Sequence, residues 1–67
     1  MSKELGTLTD TGSRGVDMTV TRYWGGEAGV CIQLTAITEE GDIGYVQLNE
    51  DDLWALKFLL EVSDEQG

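Results

Sequence analysis

The fold is decided by residues 43–62, which read IGYVQLNEDDLWALKFLLEV. In the first six residues apolar and polar side chains alternate, and this period of two is typical of a half-buried strand. Beyond Asn49 the apolar residues recur at helical spacing. The Asn49 side chain can accept a hydrogen bond from a backbone amide two or three residues later, as helix caps do. The stretch predicts a strand over residues 43–48 that leads directly into a helix ending near Val62.

Two further strands are predicted upstream, at residues 16–24 and 30–37, because both stretches alternate in the same way. A glycine-rich segment at 25–29 and a polar segment at 38–42 supply the turns between the strands. Short loops between consecutive strands favour an antiparallel meander. We therefore predict an α+β fold with three to four strands followed by one C-terminal helix.

The domain organisation follows from these elements. Residues 1–15 are rich in Gly, Ser and Thr, and we interpret them as a flexible N-terminal arm with a possible short strand at residues 7–9. Residues 16–63 form the folded domain, and residues 64–67 are predicted to be a disordered tail.

The predicted helix is apolar nearly all round. Between residues 53 and 62 only Lys57 and Glu61 are polar, whereas a helix on a three-stranded sheet needs one apolar stripe. We expect the same helix of a second copy to cover the excess, which makes the protein a homodimer. The alternatives are coverage by the N-terminal arm and docking of a different protein. The predicted dimer interface comprises Leu53, Trp54, Phe58, Leu59 and Val62.

The chain carries 4 basic and 13 acidic residues, a net charge of −9. Such a surface repels phosphate backbones and attracts basic protein surfaces, although acidity can also serve solubility alone. Two clusters stand out, one at the second turn and one at the start of the helix. The predicted partner-binding residues are Glu39, Glu40, Asp42, Glu50, Asp51 and Asp52.

The composition argues against enzymatic chemistry. The chain has no histidine and only one cysteine, Cys31, which we place on the strand face opposite Val30 and Ile32. Asp10-Thr11-Gly12 matches the aspartic-protease triplet, but its flanks lack the apolar strands that would hold such a site. We predict no catalytic residue, no metal site and no cofactor. A lone thiol and the lack of an apolar N-terminal run lead us to expect a cytoplasmic protein that does not enter the membrane.

Two stretches resemble the positive-cofactor-four family of transcriptional coactivators. One is residues 20–24 (VTRYW), similar to a family strand that ends in aromatic residues, and the other is residues 46–56 (VQLNEDDLWAL), similar to the family's last strand and helix start. The resemblance implies a curved antiparallel sheet with a C-terminal helix, a dimer formed through the helices, and single-stranded nucleic-acid binding on the sheet. The residues for that binding would be Arg22, Tyr23, Trp24 and Tyr45.

Two functions follow as hypotheses. In size and charge the chain resembles the small acidic proteins of phages and mobile elements, including anti-CRISPR and anti-restriction inhibitors. The first hypothesis is therefore an inhibitor that mimics nucleic acid and occupies a basic surface of a host nucleic-acid-binding effector, in the host cytoplasm if a phage encodes it. The second is a single-strand-binding module. Direct nucleic-acid binding is the less favoured because of the negative charge, and an assembly role without a soluble target is a third possibility.

Overall fold

The computed structural model describes the backbone of residues 2–66 and the side chains of residues 2–62. Four strands form one sheet in the order of the chain, each antiparallel to the next, and a helix follows. This confirms the predicted α+β meander with a C-terminal helix. The elements are β1 (Lys3–Leu8), β2 (Asp17–Trp24), a short 3-10 turn (Gly26–Ala28), β3 (Val30–Thr38), β4 (Gly41–Leu48) and α1 (Glu50–Gln66).

The two ends of the chain differ from the sequence-based expectation. Strand β1 lies within the predicted flexible arm and pairs with β2 along its length. An extra residue, Leu5, interrupts that pairing and hides the period of two in the sequence. Helix α1 continues through residues 64–66 of the predicted tail, since the chain has neither glycine nor proline to end it before Gly67. Met1 and Gly67 lie outside the described residues.

The inner and outer strand pairs differ in regularity. Strands β2 and β3 pair without interruption from Asp17 opposite Ile37 to Trp24 opposite Val30. Each outer strand contains one irregularity, at Leu5 in β1 and at Ile43 in β4. The regular inner pair fixes which side chains share a face, because successive side chains of a strand point to opposite faces.

The two faces of the sheet differ in chemistry. One, the polar face, presents mainly threonine, glutamine and tyrosine, and it carries side-chain hydrogen bonds between Thr7 and Thr19 (3.3 Å) and between Gln47 and Gln33 (3.0 Å). Cys31 lies on this face, opposite to Val30 and Ile32 as predicted. The other face, the apolar face, carries two basic residues at one end, Lys3 and Arg22. Its remaining side chains are apolar: Leu8, Met18, Val20, Trp24, Val30, Ile32, Leu34, Ala36, Val46 and Leu48.

The core of a single chain is thin. Among the described side chains, Cys31 is the buried hydrophobic residue, with 4% of its surface exposed. The molecule is flat, with principal extents of 36 × 36 × 16 Å. Its radius of gyration of 13.6 Å exceeds the ~11 Å expected for a compact domain of this length. The apolar face is therefore open to solvent and does not pack against a second layer of structure.

Helix α1 leaves the sheet instead of packing on it. Its main contacts with the sheet are few and lie with β4, the strand that precedes it. Asn49, the single residue between them, accepts a hydrogen bond from the Asp52 amide (2.8 Å) and donates its own amide to the Asp52 carboxylate (3.1 Å). This reciprocal pair is a capping box, and it confirms the predicted role of Asn49.

Candidate binding surfaces

An acidic cleft lies at one end of the sheet, where the loop between β1 and β2 meets the turn between β3 and β4. Its volume is about 770 Å³, and four carboxylates line it together with Gly15, Ile37, Thr38 and Ile43. Lysine and arginine are absent from this lining. We call this site the acidic cleft; its carboxylates are Asp10, Asp17, Glu39 and Glu40.

Hydrogen bonds hold the first loop of the acidic cleft. The Asp10 amide donates to the Asp17 carboxylate (3.1 Å), and Asp10 adopts a φ of 53°, a left-handed conformation that aspartate tolerates better than most residues. The Thr11 hydroxyl donates to the Val16 carbonyl (2.8 Å), and the Thr11 amide donates to the same oxygen (3.3 Å). These bonds close the loop and bring Asp10 next to the start of β2.

The second loop of the cleft is a two-residue turn. The Glu40 amide donates to the Thr38 hydroxyl (3.2 Å), and that hydroxyl donates to the Gly41 carbonyl (3.1 Å). Gly41 has a φ of 119°, which favours glycine. The turn leaves Glu39 and Glu40 exposed on the side of the cleft.

The structure brings together some of the predicted acidic residues and separates others. Glu39 and Glu40 share the cleft with Asp10 and Asp17, which sequence reasoning did not include. The signal was available, because the first and third loops of a meander lie at the same end of the sheet. The predicted residues Glu50, Asp51 and Asp52 lie at the opposite end of β4, whose eight residues span ~26 Å.

The Asp52 carboxylate already has a structural partner. It accepts the hydrogen bond from the Asn49 amide, so it contributes to capping the helix. Asp51 and Glu50 are exposed in the first turn of α1, where negative charge interacts favourably with the helix dipole. The acidic residues at the start of the helix therefore help to stabilise the helix.

The four residues predicted for nucleic-acid binding lie on two faces. Tyr23 and Tyr45 are on the polar face, whereas Arg22 and Trp24 are on the apolar face. A smaller cleft of about 340 Å³ at the edge of the sheet is lined by Ser2, Lys3, Arg22, Tyr23, Trp24 and Val30. Two of the four basic residues of the chain thus meet beside aromatic side chains.

Tyr23 lies half-buried opposite Cys31. Its partial burial, its side-chain interaction with Cys31 and the nearby Tyr45 together raise the pKa of the Tyr23 phenol above the ordinary value of 10.0. The phenol is therefore neutral at physiological pH. On the polar face Tyr23 and Tyr45 both present aromatic rings and hydroxyl groups that can form hydrogen bonds.

The predicted interface residues of the helix differ in exposure. Leu53 and Val62 are half-buried, whereas Trp54, Phe58 and Leu59 have 61%, 62% and 64% of their surfaces exposed. The Lys57 ammonium lies 5.1 Å from the centroid of the Trp54 ring, within reach of a cation–π interaction. The N-terminal segment does not cover Trp54 and Phe58, because β1 is paired with β2.

Comparison with known proteins gives no relative: neither a family model, nor a curated protein, nor a solved structure matches this chain. The resemblance to the positive-cofactor-four family therefore stays a prediction. Among residues 2–66, α1 is not long and apolar enough to cross a membrane. Within the described part of the chain, acidic and cysteine side chains do not form a group of three that could hold a metal ion.

Proposed function

We propose that this protein is a non-enzymatic acidic binding protein whose acidic cleft occupies a basic surface of a larger protein. The observation that carries the proposal is the convergence of Asp10, Asp17, Glu39 and Glu40 on one cleft whose lining holds no basic residue. The chain's net charge of −9 also favours a basic partner. Complementary charge speeds association and selects basic partners.

The partner class we propose is a nucleic-acid-binding effector, such as a CRISPR or restriction enzyme. Such enzymes hold phosphates in channels rich in Lys and Arg, and a cluster of carboxylates can compete for those side chains. The protein would act as an inhibitor by excluding nucleic acid from the channel. The acidic cleft holds four of the 13 acidic residues, and the others would contribute mainly to long-range attraction.

The test compares two quadruple variants that remove the same charge. One neutralises the acidic cleft (D10N/D17N/E39Q/E40Q), and the other neutralises carboxylates elsewhere (E4Q/E27Q/E50Q/D51N). The assay is DNA cleavage by purified CRISPR and restriction effectors, with the wild-type protein as inhibitor. We expect the cleft variant to raise the half-inhibitory concentration ~10-fold or more, because several charge pairs are lost together.

The control variant should change inhibition far less and mainly through the association rate. Equal loss of inhibition in both variants would show that net charge, rather than the cleft, does the binding. Absence of inhibition by the wild-type protein across the effector panel would contradict the proposed partner class. Rising salt should weaken wild-type inhibition steeply, since the contacts are charged.

A second candidate function is single-strand nucleic-acid binding on the polar face. The observation that favours it is the placement of Tyr23 and Tyr45 on one face beside uncharged glutamine and threonine side chains. Aromatic rings can stack on successive bases, each stack contributing ~1–3 kcal/mol. The acidic residues at the ends of the sheet oppose this function, so it ranks second.

Fluorescence anisotropy with labelled oligo(dT) at low salt tests this second function. Tyr23→Ala and Tyr45→Ala should each weaken binding, whereas Trp24→Ala on the apolar face serves as the control. If the wild-type protein leaves the anisotropy unchanged at low salt, nucleic-acid binding on the polar face is excluded.

A further inference from the structure

Two apolar surfaces of the same chain lack a cover. The first is the apolar face of the sheet, where Trp24 has 65% of its surface exposed. The second is helix α1, where Trp54, Phe58, Leu59 and Leu60 are all mainly exposed. Exposed apolar patches of this extent mark interaction surfaces. A cover for one surface alone would leave the other in water.

The helix cannot cover the sheet of its own chain in this conformation. One residue, Asn49, separates β4 from α1, and its backbone amide and side-chain oxygen are both engaged with Asp52. The Leu53 amide also donates to the Asn49 carbonyl (3.1 Å), which begins the helix without a flexible residue. Helix α1 thus begins directly after β4, and in this conformation it does not cover the apolar face.

The N-terminal segment cannot serve as the cover either. Residues 3–8 form β1 and lie in the plane of the sheet, paired with β2. Residues 3–8 therefore do not lie over the apolar face. The described residues of the chain therefore leave the apolar face without a cover.

The dimensions of the chain fit a second copy of itself. Its accessible surface of 5475 Å² exceeds by ~1,300 Å² the ~4,200 Å² expected for a folded monomer of this mass. That excess matches what each subunit buries in an obligate dimer, roughly 1,000–2,500 Å². Helix α1 has 17 residues and is ~26 Å long, close to the ~26–30 Å length of strands with eight or nine residues.

We propose that this chain forms a two-fold dimer in which the helix of each protomer lies across the apolar face of the other. A single two-fold rotation then covers both the apolar face and the helix of each protomer, because the arrangement is self-complementary. The helix stripe with Trp54 and Phe58 would contact the centre of the face around Val20 and Leu34. This inference does not depend on the proposed function, since it rests on the exposed apolar surfaces alone.

Light scattering and nuclear magnetic resonance test the proposal on the full chain. Light scattering across micromolar to millimolar concentrations should give twice the 7.3 kDa of a single chain. In a mixture of isotope-labelled and unlabelled protein, intermolecular nuclear Overhauser effects should connect the Trp54 and Phe58 rings with the Val20 and Leu34 methyl groups. A single-chain mass at millimolar concentration would overturn the proposal. Intermolecular nuclear Overhauser effects that connect helix residues only with other helix residues would overturn it as well.

Matched variants give a second test. Phe58→Asp places a charge on the helix stripe, and Tyr45→Asp places the same charge at a similarly exposed aromatic residue on the polar face. We expect Phe58→Asp to raise the dissociation constant at least 100-fold or to unfold the chain, and Tyr45→Asp to keep the dimer. A folded, dimeric Phe58→Asp variant would contradict the arrangement.

Discussion

Asn49 and Asp52 cap helix α1 reciprocally, the backbone amide of each donating to the side chain of the other over 2.8 and 3.1 Å. The pair satisfies two amides at the only junction between sheet and helix. The pair therefore stabilises the first turn of the helix.

The first prediction concerns this cap. Asn49→Ala should lower the free energy of unfolding by ~0.5–2 kcal/mol, because the Asp52 amide loses its acceptor. Urea titration at one fixed protein concentration measures the change. Asp52→Asn keeps an acceptor oxygen and loses the charge, while Asp51→Asn loses the same charge outside the cap. Equal stability of Asn49→Ala and the wild type would show that the cap contributes little.

The second prediction concerns the turn between β2 and β3. Gly29 has a φ of 74° and a ψ of −144°, a region that only glycine adopts readily, so Gly29→Ala should destabilise the fold by ~1–3 kcal/mol. A Cβ at this position meets no atom within 4 Å, so the loss of stability would come from the backbone conformation alone. Gly12→Ala, which also meets no atom within 4 Å, is the control in thermal unfolding. Equal effects of the two substitutions would contradict the argument.

The third prediction concerns the packing of Gly25 against Cys31. A Cβ on Gly25 would lie 2.7 Å from the Cys31 sulfur and 3.4 Å from the Gly29 carbonyl oxygen. Gly25→Ala should therefore cost ~1–3 kcal/mol, because the sulfur must move in a tight site. The double variant Gly25→Ala/Cys31→Ala should recover part of this loss in a double-mutant cycle. Additive losses would mean that the contact does not couple the two residues.

The fourth prediction concerns alkaline pH. Because the pKa of Tyr23 is raised in the folded state, its contribution to stability is complete below pH 10 and is lost as pH rises through the folded-state pKa. Absorbance at about 295 nm should show a tyrosine transition above the ordinary pKa of 10.0. Tyr23→Phe should abolish that transition and reduce the alkaline loss of stability. Persistence of the transition in Tyr23→Phe would assign it to another group.

Much of the fold could be predicted from local sequence. Period-two alternation located β2, β3 and β4, and the assignment of side chains to the two faces follows the observed register. The cap at Asn49 was also predictable, because the hydrogen bonds involve residues three apart. These features depend on residues that are close together in the chain, so the local sequence is enough to predict them.

The remaining features depend on contacts that are distant in the chain. Strand β1 was missed because the extra residue at Leu5 breaks its alternation. The helical pattern also does not show that α1 leaves its own sheet, so that Leu56 and Leu60 are exposed. Asp10 and Asp17 were not grouped with Glu39 and Glu40, because the missed strand β1 left its loop to β2 out of the predicted meander.

The irregularities at Leu5 and Ile43 have a consequence for the two free edges of the sheet. A straight outer strand offers its free amides and carbonyls to any neighbouring chain, which is how fibrils extend. Here both outer strands carry an extra residue, while the inner pair is regular. Edge-to-edge polymerisation is thereby discouraged at both borders of the sheet. A chain with so much uncovered apolar surface is in this way kept from extending its sheet into a fibril.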